Sequence, residues 1–489
     1  SLNNIIANHN GSWGVYVETN GAISWVKGEA SDNGQSASFT GGGASLINNA
    51  ALETASKPVI LRDLKIINNL RNNGLSIISR GGVTLTNIEA IENLIEGVFI
   101  YKYTGIGNIL LTNVSANGNQ YGIDITATST VHRYNNVTLI NVSASNNNSF
   151  GIVVGANGNI TWAGGMVFNN SQTMVQNNVV LQNYDHISPA APFGVKVSNV
   201  TINNPEGYGL YVSSYGAVTL SGVTARDHMD YNVYLYTCGG SSYTTCTNPY
   251  PAPVTVLKST FTGSYGSTGY AGLMIRASGA VTLSGVIGNN NSGKGVYINN
   301  RVSTLLAKPV TVTSSTFNNN STGAIVESDG GIILNSITAS MNRTYQGLNA
   351  YNYTSLSTPS ITISGVNNFN ANKTTGLDLR SKGTITVSGV RASNNEDKGI
   401  YLESTHSWVS LSSSLVDGNK YTGVYINSAG NVYVNTLNSF YNGWWAGANG
   451  LTVEAKVLSG TPPFVTISNS NFLGNYNTGL YILVNSPKG

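Results

Sequence analysis

Apolar and polar residues alternate along this chain at a period of two, in short runs that Gly or Asn interrupts after a few residues. Two such patterns recur in strict order. The first is a Gly followed by apolar–x–apolar, as in GVYV at Gly14, GLSI at Gly74, GVFI at Gly97, GLYV at Gly209, GVYI at Gly295 and GIYL at Gly399. The second reads V-T-L-x-[GN]-V-x-[AF]-x-x-N, as in VTLTNIEAIEN from Val83, VTLINVSASNN from Val137 and ITVSGVRASNN from Ile385. A period of two places alternate side chains on opposite faces of a strand, so each pattern predicts a half-buried β-strand. No long segment repeats its apolar residues at the helical period of 3.6.

The spacing of the first pattern decides how these strands are arranged. Gly74, Gly97 and Gly122 lie 23 and 25 residues apart, and Gly376, Gly399 and Gly423 lie 23 and 24 apart. A coil of that length, with two or three short strands and tight bends, predicts one turn of a parallel β-helix. Leucine-rich repeats need a helical half that is missing here, and propeller blades need longer units built from antiparallel hairpins. The expected architecture is all-β: a single right-handed parallel β-helix over residues 1–489, with about seventeen coils. Its core is the stack of inward Val, Ile and Leu residues from coil to coil.

Alternate coils are longer. Extra residues enter between the Gly-strand and the V-T-L strand at 48–58, 126–135, 181–193, 237–253, 299–309, 349–359 and 454–463. Five of these insertions end in Pro, at Pro58, Pro253, Pro309, Pro359 and Pro463, where proline stiffens the exit and cannot extend a hydrogen-bond ladder. Insertions at one coil position map to one face of a solenoid, so a ridge of loops is expected on one flank, serving recognition or shielding the sheet.

The Asn that closes the second pattern recurs at Asn33, Asn69, Asn93, Asn119, Asn147, Asn290, Asn320, Asn342, Asn372, Asn395, Asn419 and Asn475. Asn tolerates the left-handed conformation of a tight bend, and its amide can bond the equivalent amide one coil away. These residues are expected to form an internal structural ladder that fixes register, in preference to a polar binding row.

Composition narrows the function. Only 9% of residues are charged and the net charge is +3, with no basic block, which argues against nucleic acid as a partner. No apolar stretch approaches the length of a membrane span. The two cysteines, Cys238 and Cys246, sit in one Gly/Ser/Tyr-rich segment and are expected to form a local disulfide, which implies an oxidising compartment. Sequons such as those at Asn113, Asn141 and Asn372 are no more frequent than the abundance of Asn, Ser and Thr produces.

Candidate chemistry is sparse. The acids look scattered, without an Asp-Asp pair, and Glu18, Glu327, Glu403 and Glu454 read as widely separated solvated charges. YGIDIT at Tyr121 faintly matches the start of an alginate-epimerase signature, but no Pro-His follows Asp124. His9, His132, His186, His228 and His406 show no metal-ligand spacing, and Asp185-His186 and Asp227-His228 read as loop or turn polar groups. No catalytic residue, cofactor or metal site is expected. One exposed feature stands out. The outward position two after the repeat Gly carries Tyr16, Phe99, Tyr211, Tyr234, Tyr297, Tyr401, Tyr425 and Tyr481, a possible ligand or packing face. Such a row can stack sugars or a neighbouring rod, or simply stabilise the exposed sheet.

With the G-[VLI]-Y-[VI] and V-T-L-x-[GN]-V-x-A-x-x-N strands covering nearly the whole chain, the sequence resembles the right-handed parallel β-helix repeat proteins of bacterial cell surfaces. That resemblance implies the fold; the same coils serve adhesins, fibres and carbohydrate-active enzymes. Neither end shows a capping helix, so the chain is expected to be a segment of something longer or the subunit of a head-to-tail filament. The leading expectation is an extracellular structural protein, a rod segment of a surface adhesin or a fibre subunit, whose partners are copies of itself or further coils. The alternative is a secreted or cell-surface β-helix that binds or degrades polysaccharide through its Tyr face.

Overall fold

In a computed structural model the chain is an all-β, right-handed parallel β-solenoid of about sixteen turns, against the seventeen coils expected. The structure describes residues 1–485 except 39, 49–56, 103, 104, 106, 129–134, 171–176, 184–192, 204–206, 239–250, 302–307, 353–356, 446–447 and 457–461. Contacts group the chain into two compact units, Ser1–Thr237 and Cys238–Gly489. Among the described residues no helix is long and apolar enough to cross a membrane.

Within each unit every coil contributes to two parallel sheets, and the two sequence patterns correspond to them. In the first unit the V-T-L strands pair in constant register, so that Val59, Val83, Ile109, Val137 and Ile160 form one inward column. All five are fully buried. The Gly-strands do the same through Leu75, Val98, Ile123, Ile152 and Val179. Constant register is expected, because a slip of one residue would turn every core side chain to solvent.

Two left-handed bends shape each coil. The first falls on the [GN] position of the V-T-L pattern, at Asn87, Asn113, Asn141 and Asn199 with φ of 52–55°, and at Gly222, Gly285, Gly365 and Gly389 with φ of 63–76°. Gly and Asn recur there because they adopt this geometry at least cost. The second bend corrects a sequence expectation. The left-handed residue is the one before the ladder position, as at Asp32, Asn68, Glu92, Asn146, Asn290, Asn319 and Asn394. The ladder Asn follows it and turns inward.

The ladder itself has one repeated geometry. The backbone N–H and side-chain amide of Asn69 both donate to Asn93 Oδ1, at 3.2 and 2.7 Å, and Asn93 does the same to Asn119 at 2.8 and 2.9 Å. Asn33, Asn119 and Asn147 continue it, ending on Asn170. In the second unit the chain runs Asn291, Asn320, Asn342, Asn372, Asn395, Asn419, Asn442 and Asn475. Asn290 is therefore not a member: it is the exposed left-handed bend residue, and Asn291 takes the buried place. Asn170, Asn291 and Asn442 hold the eleventh position of the V-T-L pattern but escaped the sequence reading; position eight there is Val167, Gly288 or Ser439 in place of Ala or Phe.

The insertions leave from the expected place, after a Gly-strand and before a V-T-L strand, for example between Asn48 and Val59. The tips of all seven, and hence the loop ridge, lie outside the described residues. What the structure adds is an anchor at the inward residue that ends the Gly-strand. Several short coils place Ser there: Ser79, Ser328 and Ser381 each accept the N–H two residues on, from Gly81, Gly330 and Gly383, at 3.0 Å. Several long coils place Asn there, and its longer amide reaches the returning chain: Asn48 to Lys57 O at 2.6 Å, Asn352 to Pro359 O at 3.2 Å; Ala127 and Ala455 hold the place in two others.

Candidate functional site

The outward face of the Gly-strand sheet in the second unit collects the charged and phenolic groups. Its strands are Ala271–Arg276, Lys294–Asn300, Thr322–Ser328, Leu348–Tyr351, Leu377–Ser381, Ile400–Ser404, Val424–Ser428 and Leu451–Lys456. Register defines two outward columns. One runs Met274, Tyr297, Ile325, Asn349, Asp378, Tyr401, Tyr425 and Thr452. The other runs Arg276, Asn299, Glu327, Tyr351, Arg380, Glu403, Asn427 and Glu454.

Glu327, Glu403 and Glu454 thus share one column, three and two strands apart, and the burial of Glu327 corrects its reading as a solvated charge. Residues far apart in sequence become neighbours because each coil adds one strand, ~4.8 Å from the last. Glu327 is only 7% exposed and Asp378 6%. Glu18, in the first unit, stands apart and accepts a 2.8 Å bond from the exposed Tyr16.

Two hydrogen-bonded clusters result. In the first, the Tyr297 hydroxyl donates to Glu327 Oε1 at 2.8 Å, Tyr351 bonds the same carboxylate, and Arg301 Nη1 lies 3.7 Å from Glu327 Oε2. In the second, Arg380 makes a bidentate pair with Asp378, both bonds 3.0 Å, and its guanidinium lies 5.1 Å from the centre of the Tyr401 ring. Tyr401 donates to Glu403 at 3.2 Å, Asn427 donates to the other Glu403 oxygen at 3.2 Å, and Tyr425 bonds Glu454. Burial first, then the adjacent carboxylates, hold the phenols of Tyr297, Tyr351 and Tyr425 above the ordinary tyrosine range; Tyr401 is pushed to about 12. Each therefore keeps its proton and serves as a donor.

The predicted aromatic row divides in the same way. Tyr401 and Tyr425 stack with ring centres 5.4 Å apart and planes within 3°. Because the rings cover each other's faces, they offer edges and hydroxyls to solvent. Tyr297 joins the Glu327 cluster, and Tyr481 stands 45% exposed beyond Thr452. In the first unit, Tyr16, Phe99, Tyr211 and Tyr234 occupy one column with Asp124. Tyr211 and Tyr234 meet edge to face at 5.5 Å, Phe99 stacks on Tyr101, and Tyr16 is isolated. Burial lifts the Asp124 carboxyl to about 6.

The histidines divide too. His9 lies 3.6 Å from Asp32 and is exposed; His406 bonds Thr405 at the surface; His132 and His186 lie outside the described residues. His228 is fully buried, which corrects its reading as a loop polar group. It replaces Asn at the ladder position, facing Gly209, where a Cβ would lie 2.6 Å from its ring. Cys238 is buried, while Cys246 lies outside the described residues and with it the expected pairing. Among the described residues no group of His, Cys, Asp and Glu is arranged to hold a metal ion. A shallow depression of about 540 Å³ on the V-T-L sheet, lined in part by Val366, Arg391 and Leu415, holds no carboxylate.

The family described as the right-handed beta helix region matches residues 191–356 and 246–436, together half of the chain. The chain belongs to that family. This β-helix protein matches no curated protein sequence. Among solved structures it is similar to a double mutant of the periplasmic alginate epimerase AlgG, with 12% identity over 85% of this chain and 77% of that one and a TM-score of 0.33. The A-module of an Azotobacter vinelandii mannuronan C-5 epimerase gives 10% identity over 79% and 90%, with a TM-score of 0.35. A Siphovirus tailspike receptor-binding domain gives 8% over 80% and 72%, with a TM-score of 0.27. At these identities the likeness concerns the fold alone.

Proposed function

We propose that this β-helix binds and acts on a polysaccharide laid along the outward Gly-strand face of the second unit. The observation that carries the proposal is the convergence of Tyr297, Glu327, Tyr351, Asp378, Arg380, Tyr401, Glu403, Tyr425 and Glu454 on two adjacent columns of one sheet. In a chain with only 9% charged residues, that concentration is not needed to solubilise a rod. Hydroxyls, carboxylates and a guanidinium at successive strand spacings form a ladder of donors and acceptors that suits the repeating hydroxyls of a sugar chain. In hydrolysis a carboxylate of this face takes a proton from the water that attacks the anomeric carbon, the glycosidic C–O bond breaks, and the leaving oxygen takes its proton from a neighbouring phenol. A secreted or cell-surface location belongs to the same proposal.

The test is a panel of soluble polysaccharides, scored for retention and for release of reducing or unsaturated ends. We expect Glu403→Gln and Tyr401→Phe to lower product release by about a hundredfold, with melting behaviour unchanged. Absence of both retention and release across the panel would return the protein to the class of structural rods.

A further inference from the structure

The two clusters on this face differ in how their cations are paired. Around Asp378, one guanidinium, Arg380, pairs with Asp378 and has Glu403 on the next strand. Around Glu327 the cations Arg276, Lys294 and Arg301 gather, with Asp329 two residues further along the chain. The Glu327 carboxylate is fully engaged, by Tyr297, Tyr351 and Arg301. Lys294 is held as well, donating to Thr268 O and Gly269 O at 3.3 and 3.0 Å and lying 5.6 Å from the centre of the Tyr297 ring.

Arg276 is left over. It ends the strand Ala271–Arg276 on the outward column, in register with Asn299 and two strands from Glu327. It is 9% exposed, its Nε is buried without a hydrogen-bond partner, and its charge acts on the Tyr297 phenol. Burying a guanidinium without a paired anion is costly. Sites that bind ligands are where folds retain such costs. A guanidinium fork matches the two oxygens of a carboxylate or a sulfate ester, and Arg301, 42% exposed at its side chain and two residues beyond Asn299, the register partner of Arg276, supplies a second cation from the next coil.

We infer that Arg276, with Arg301 from the next coil, seats an anionic substituent of the bound glycan, a carboxylate or a sulfate ester, while the Asp378–Glu454 half of the face takes uncharged hydroxyls. This rests on the polysaccharide reading above and gives it a direction: an anionic unit lies at the Arg276 end.

Three probes separate the possibilities: polygalacturonate for carboxylate, dextran sulfate for sulfate, and unmodified dextran for a neutral chain, each measured by affinity electrophoresis of the whole protein at low salt. The expected result is retention by one or both anionic probes, weakened at least about tenfold in Arg276→Gln. Arg276→Lys, which keeps the charge but not the fork, falls between. Lys196→Gln removes the same charge from an exposed position of the first unit and leaves retention unchanged. Which anionic probe responds identifies the substituent. Equal retention of Arg276→Gln and the parent, an equal loss in Lys196→Gln, or failure of both anionic probes to bind would overturn the seat; thermal melts of each variant separate these from misfolding, and Arg276→Lys reports if Arg276→Gln does not fold. A neutral glycan that binds, responds to Glu403→Gln and ignores Arg276→Gln would remove the seat and leave the polysaccharide reading standing.

Discussion

At His228, between the two runs of ladder Asn, the equivalent inward position carries an imidazole. Its Nδ1 lies 2.8 Å from Asn232 Oδ1, so the neutral ring carries its proton on Nδ1 and donates it there, leaving the buried Nε2 without a partner. Desolvation pushes the ring down to about 4, only partly offset by the Asn232 bond. The unfolded ring, near 6.5, then binds more protons than the folded one between these values, so stability is full above pH 6.5 and declines as pH falls toward 4. The difference corresponds to about 3 kcal/mol at most. His228→Asn puts an amide in that position, and urea titrations at pH 7 and pH 4.5 should show the acid loss shrinking. An unchanged difference between the two pH values would assign the acid sensitivity elsewhere.

At the level of the coil, the inward residue that ends the Gly-strand anchors the turn or loop that follows in several coils. Ser closes a tight turn onto the Gly two residues later, and Asn bridges to the chain returning from an insertion. Ser381 also donates to Pro359 O at 2.9 Å, so it ties its own turn to the exit of the preceding insertion. Ser381→Ala should cost about 1–2 kcal/mol in chemical denaturation, since it strands the buried Gly383 N–H and removes one of two bonds to Pro359 O. Ser388→Ala, on the half-exposed face of the V-T-L sheet, should stay within about 0.5 kcal/mol. Equal effects would mean that the turn is held by its Gly geometry and not by the hydroxyl.

For the molecule as a whole, each coil touches its neighbours and little else, so energetic effects should stay local. Asn147 accepts two bonds from Asn119, at 2.9 and 3.1 Å, and donates to Ala116 O at 3.2 Å. Asn147→Ala should therefore destabilise the first unit by about 3 kcal/mol. The dissociation constant for polysaccharide on the second unit should not change. A weakened constant would indicate that the two units are coupled through the stack.

The chain by itself determined the strands, their period and the coil. Alternation at period two assigns each side chain to core or solvent, and a 23–25-residue repeat leaves one way to bury the apolar side. The left-handed corners were legible because Gly and Asn mark them, and most of the ladder was legible as a recurring Asn. Its exact membership was not, because the bend residue and the ladder residue are adjacent and are often both Asn, as at 290 and 291. The candidate site was the least legible part. Glu327, Glu403 and Glu454 are 76 and 51 residues apart in sequence and look isolated there. Only the stacking of coils in constant register places them on one column, beside phenols whose protons burial holds in place.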